Sequence, residues 1–348
     1  MDDHRTNQAI RHFALHRIGG VELRVISDIE AGVIAITEVE EEVLLRYTAR
    51  PDWPHLVVSL FVLSDLSPLQ RQLVRTAPLP PGGVEALAYR PLVNVYDLAD
   101  RSACHIFVNQ TAMVREGYWG DRVAETALLA HEHAHPLAEN EAMQAARGLV
   151  VTLALISRRP LSDEADEAWQ GKLLRLLQGL ADKLCLYAPR EVFANDVLLD
   201  SGFADALYYL DTINVRNAAK GLQVRPALVA SLAAEPALTE SGRAALLAVA
   251  DLKAHLDLAL EIASFWRQGW PEMASDLERV LAQEVFPSLV PETAPAYLAL
   301  SGLYREMSPE ATAEDLIEFG NAVVSVLAGG LAPYGLLLNG KVDVRANP

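Results

Sequence analysis

The chain has 348 residues, 51% of them hydrophobic, with 46 acidic against 29 basic side chains and a net charge of −17. That is enough apolar material for a packed core in one elaborate domain or two. The charge argues against a nucleic-acid surface, which needs clustered Lys and Arg, and against docking on an anionic membrane.

Residues 1–20 carry Asp2, Asp3, His4, Arg5 and Arg11 and no apolar run, so they do not read as a secretory signal. No uninterrupted apolar stretch reaches the roughly 18 residues of a membrane span. Cys104 and Cys185 form no C-x-x-C pair, which speaks against a thiolate zinc site and for a reducing compartment, the cytoplasm. His4, His12, His16 and His55 form no ligand set.

Residues 1–118 read as a mixed region in which strands dominate. Segments 21–26, 33–37, 43–47 and 56–63 are rich in Val, Ile and Leu, and their short spacings predict antiparallel neighbours. Ser67-Pro68-Leu69-Gln70 reads as a capped helix start, and residues 78–83 read as a loop. An extended segment at 105–109 precedes a helical run at 123–134, for which Asp121 is the N-cap and Glu125 a favourable acid near the first turn.

That run ends in His131-Glu132-His133-Ala134-His135, an H-E-x-x-H motif. At a spacing of four, His131 and His135 share one helix face and can hold one Zn²⁺ through their ring nitrogens. Glu132, about 100° round the helix from His131, can take a proton from water made acidic by the metal. Pro136 predicts that the helix ends or kinks at His135.

Asn140 reads as the N-cap of a further helix reaching Ile156, and Ser162 as the cap of a long one ending near Tyr187. Ala188-Pro189 then reads as a helix start. Glu191 falls in its first turn, with Asn195 one turn on and Asp196 about 140° from Glu191. Catalytic zinc needs a third protein ligand, and Glu191 is the acid best placed. Glu139 and Glu141 are rivals that would need a tight reversal at Pro136.

H-E-x-x-H followed by a glutamate on a later helix resembles the gluzincin metallopeptidases, over residues 105–200. The resemblance implies His131, His135 and Glu191 as zinc ligands and Glu132 as general base. It implies a residue behind the ligands as well, for which Asn195 and Asp196 compete, Asn195 standing where the family carries aspartate. It further implies an oxyanion-stabilising side chain, for which Tyr208 and Tyr209 are the nearest candidates, and a sheet whose edge strand holds an extended substrate, with 105–109 as that strand. Metzincins would need Gly-x-x-His from three residues after the second histidine, and the chain reads Pro136-Leu137-Ala138-Glu139-Asn140 instead.

Further helices are expected at 203–214, 243–268, 273–285, 294–304 and 313–327, with a loosely organised Gly-rich end at 329–348. Leu246, Val249, Leu252, Leu256 and Leu260 form an apolar stripe that predicts core packing, and His255 beside it is not read as a ligand. The expected architecture is α+β, divided as a sheet region at 1–118, zinc-bearing helices at 119–200 and a helical region at 201–348. The expected function is a zinc-dependent hydrolase acting on peptide or protein substrates. The alternatives are a zinc-stabilised protein without catalysis and a metal-free helical interaction protein.

Overall fold

The computed structural model describes residues 10–67 and 89–345. The readings at Ser67-Pro68-Leu69-Gln70 and 78–83 fall wholly or mainly outside those residues. The architecture is α+β, an N-terminal five-stranded sheet followed by a largely helical C-terminal half. The chain divides into two units, one of residues 1–138 with 197–210, the other of 139–196 with 211–348.

In the first unit, β1 (His12–Ile18) and β2 (Val21–Ser27) form an antiparallel hairpin. Helix α1 (Val33–Tyr47) then carries the chain to β3 (Val57–Leu63), which pairs parallel with β2. β4 (Leu92–Tyr96) and β5 (Ala103–Asn109) complete the sheet in the order β1-β2-β3-β5-β4. β5 runs parallel to β3 and antiparallel to β4, so the sheet is mixed rather than mainly antiparallel.

Two expectations are corrected here. Residues 33–37 and 43–47 are not strands but the two ends of α1. The buried positions Val33, Ile36, Val39, Glu40, Val43, Leu44 and Tyr47 recur at steps of three and four, a helical face that runs through the acidic centre of the segment. The segment at 105–109 belongs to β5, an interior strand with β3 on one side and β4 on the other; among the described residues β1 and β4 lie at the two edges.

The short α2 (Gln110–Glu116) leads to α3 (Arg122–Leu137), which carries the motif. The Asp121 side chain accepts from the backbone N–H groups of Val123 and Ala124, as an N-cap does. Ala127, Ala130 and Ala134 are fully buried, and these small side chains let α3 lie close to α1.

In the second unit, α4 (Glu141–Arg147) starts on Asn140, whose side chain accepts from Met143 N–H. It stops at Gly148, and the residues expected to prolong it form β6 (Leu149–Ser157). The partner of β6 is β7 (Leu336–Val344), antiparallel, so residues 336–344 form a strand rather than a loose segment.

Helix α5 (Asp166–Asp182) begins four residues after Ser162, whose hydroxyl serves the turn before it, accepting from Glu164 and Ala165 N–H. A π-helical turn, Lys183–Tyr187, joins α5 to α6 (Ala188–Asp200) without a break. There Ala188 N–H bonds Lys183 C=O, five residues back, and the shifted register admits Pro189, which has no N–H to give.

The remaining helices are α7 (Ala204–Gly221), α8 (Arg225–Ala234), α9 (Glu240–His255), α10 (Leu258–Arg267), α11 (Pro271–Val280), α12 (Thr293–Arg305) and α13 (Ala313–Leu331). The single helix expected at 243–268 is thus two, α9 and α10. Val249, Leu252, Leu256 and Leu260 of the apolar stripe are buried, as core packing requires.

By length and composition alone, the stretch Ala313–Tyr334 could cross a membrane. Leu316, Val323, Leu327 and Leu331 are buried, and the helix packs on β7 and α12 as a core helix does. Gly320 permits that approach, since a Cβ there would stand 2.5 Å from a Val342 methyl.

Candidate metal centre

The motif helix sorts its three histidines by angle. His131 is half-buried and His135 buried, with ring centroids 4.6 Å apart and planes at 82°. His133, about 200° from His131, faces the opposite way. Its Nε2 meets Glu40 Oε1 of α1 at 2.7 Å, both side chains fully buried, beside the rings of Tyr47 and Trp53. The Tyr47 hydroxyl donates to Ala130 C=O at 2.8 Å. These bonds fix the back of the helix, opposite the face that carries His131 and His135.

Pro136 does not end the helix, which continues to Leu137. A proline there withholds the N–H that would bond Glu132 C=O. Asn94 of β4 replaces it, its Nδ2 donating to that carbonyl at 2.6 Å, while Arg101 Nη1 donates to Pro136 C=O at 3.0 Å. Together the two bonds tie the end of the motif to the edge-strand side of the sheet. No sequence signal named Asn94, although an orphaned carbonyl four residues before a helical proline calls for a donor from elsewhere. Replacing Asn94 with Ala is expected to lower the unfolding free energy by about 1–3 kcal/mol, the cost of a buried unpaired carbonyl. Denaturant unfolding measures it, and a change under about 0.5 kcal/mol would mean that water does the same work.

Glu132 presents its carboxylate 3.9 Å from His135 Nε2, with 14% of the side chain exposed. Glu191 stands in the first turn of α6, close enough to Lys183 to favour that ammonium's charged form. One ligand atom each from His131, His135 and Glu191 all lie within 4.8 Å of one another, the only such group of three or more His, Cys, Asp or Glu among the described residues. Two imidazole nitrogens and a carboxylate oxygen are the donor types that zinc takes. Neither rival acid joins them. Glu139 pairs with Arg147, and Glu141 lies in the first turn of α4.

Two of the supporting residues read from the sequence are engaged elsewhere. Asp196 pairs with Arg267, whose Nε lies 2.9 Å from Oδ2, and burial pushes its carboxyl up against the pull of that guanidinium. It is therefore not the partner of a motif histidine. Asn195 is buried on α6. The Tyr209 hydroxyl donates to Asp121 Oδ2 at 2.7 Å, at the N-terminal end of α3. That end is about 15 Å along the helix axis from His131. Tyr208 is half-buried on the same helix, α7.

No family model matches the chain, and no curated protein or solved structure matches it either.

Proposed function

We propose that the protein is a zinc-dependent hydrolase of the gluzincin type that cleaves peptide bonds. The observation that carries this reading is that one ligand atom each from His131, His135 and Glu191 lie within 4.8 Å of one another. The donor set fits zinc, so these three residues would hold it. Bound there, zinc would supply a Lewis acid and an acidified water.

The chain's own groups do the rest. Glu132, partly exposed and 3.9 Å from His135 Nε2, accepts the proton of the attacking water and passes it to the leaving amine. Among the described residues β4 lies at an edge of the sheet, and Asn94 binds it to the backbone of Glu132. In this reading an extended substrate pairs alongside β4. For the oxyanion the resemblance offers Tyr208 and Tyr209, of which Tyr209 is bonded to Asp121. Peptide or protein substrates are the partners in this reading, without nucleic acid or membrane. A cytoplasmic location suits the two buried free thiols, Cys104 and Cys185.

Elemental analysis of protein purified without a histidine tag tests the proposal. The expected result is one zinc per chain, with cleavage of a peptide library abolished by chelation and restored by zinc. Less than about 0.1 zinc per chain would return the protein to the metal-free alternative. Full zinc occupancy with no cleavage, and a lower melting temperature after chelation, would establish the structural-zinc alternative.

A further inference from the structure

The second unit holds another group of oxygen donors, which the proposed hydrolysis does not use. Asp211 and Asn214 lie one turn apart on α7, and Glu261 lies on α10. The Asn214 amide donates to both acids, at 3.2 Å to Asp211 Oδ1 and 3.4 Å to Glu261 Oε2. Asp211 is 2% exposed and its other oxygen, Oδ2, has no partner. The hydroxyl of Tyr297 on α12 is buried and likewise without a partner; after burial itself it feels Glu278 and Arg305 most, and Glu261 and Asp211 beyond them. Two orphaned buried oxygens of different residue types thus accompany one carboxylate pair.

The surrounding charges do not neutralise that pair. Lys183 is spent on Asp257 and reaches Glu261 and Glu191 only at longer range. Arg305 is spent on Glu278, the next acid along. Two carboxylates held this close, one of them almost wholly buried and neither with a cation of its own, are costly unless a proton or a metal ion joins them. Burial pushes Asp211 up to about 7 and Glu261 up as well, the protonated answer to that cost in the metal-free protein. Glu261 is only half-buried, which leaves a way in for an ion.

We propose that Asp211, Glu261 and Tyr297 form a second metal site, distinct from the zinc ligands, that takes a hard divalent cation, calcium. The donors are all oxygen, which favours calcium or magnesium over zinc. Calcium tolerates irregular geometry and fills its shell with water, whereas magnesium demands a near-octahedral cage.

Isothermal titration of the zinc-loaded protein with calcium chloride tests this. The expected result is one calcium per chain and a higher melting temperature in its presence. Asp211→Asn and Glu261→Gln should each abolish binding, and Tyr297→Phe should weaken it severalfold while leaving the fold intact, which serves if the acid variants fail to fold. His131→Ala should lose zinc and keep calcium, so failure of this site and failure of the hydrolase reading are separable. No calcium uptake up to about 1 mM, the weak end of protein sites, would overturn the proposal. So would uptake undiminished in Tyr297→Phe and Glu261→Gln. An infrared band of a neutral carboxylic acid that persists with calcium and vanishes in Asp211→Asn would assign the pair to a bound proton instead.

Discussion

Glu132→Gln is expected to leave zinc content and melting temperature unchanged while lowering peptide turnover by about 10²–10⁴-fold. The amide has nearly the same shape and keeps one oxygen, so packing at the end of α3 is undisturbed. It cannot accept a proton at neutral pH. The main-chain oxygen of residue 132, bonded by Asn94, is untouched by the change. The carboxylate sits 3.9 Å from His135 Nε2, so the variant removes the proposed base without removing a proposed ligand. Single-turnover rates at saturating substrate, with zinc measured in the same sample, read the effect. Wild-type turnover in a zinc-replete variant would eliminate Glu132 as the base and the mechanism with it.

Glu191→Gln is expected to weaken zinc binding by more than the roughly 10–100-fold seen when an outer hydrogen-bond partner of a ligand is lost. It removes the only negative charge among the three proposed ligands, and an amide oxygen is a much poorer partner for a cation. Competition with a chromogenic chelator gives the affinity. The same loss appears as stability, because a ligand that binds only the folded state raises the unfolding free energy by RT ln(1 + [L]/Kd). A 100-fold weaker site therefore forfeits about 2.7 kcal/mol of zinc-dependent stabilisation at high zinc. Without zinc, variant and wild type should unfold alike. Equal zinc affinity in the two would show that the carboxylate at 191 is not a ligand, whatever its distance from the imidazoles.

The motif helix was legible because its signals are local. Asp121 as N-cap, the alanine- and leucine-rich run and the four-residue histidine spacing all act within a few turns, and α3 forms on them. The N-cap at Asn140 and the buried stripe on α9 and α10 were legible for the same reason. Short apolar runs were not. Residues 33–37 and 43–47 have strand composition, yet helical periodicity through the intervening glutamates places both in α1. Residues 149–157 satisfy helix and strand patterns alike, and the choice falls to β7, a partner close to 190 positions away.

The sequence by itself determined which side chains could carry the chemistry: two imidazoles and a carboxylate on one helix, and an acid in the first turn of another. Only the tertiary structure decided their use. It turned His133 into the core against Glu40, gave Asp196 to Arg267 and Tyr209 to Asp121, and put β5 inside the sheet between β3 and β4. It also carried α3 through Pro136 with Asn94 as the substitute donor. The physical reason is that helix caps and ligand spacing depend on neighbours in sequence, whereas a buried polar group takes whichever partner the packed chain brings within about 3 Å.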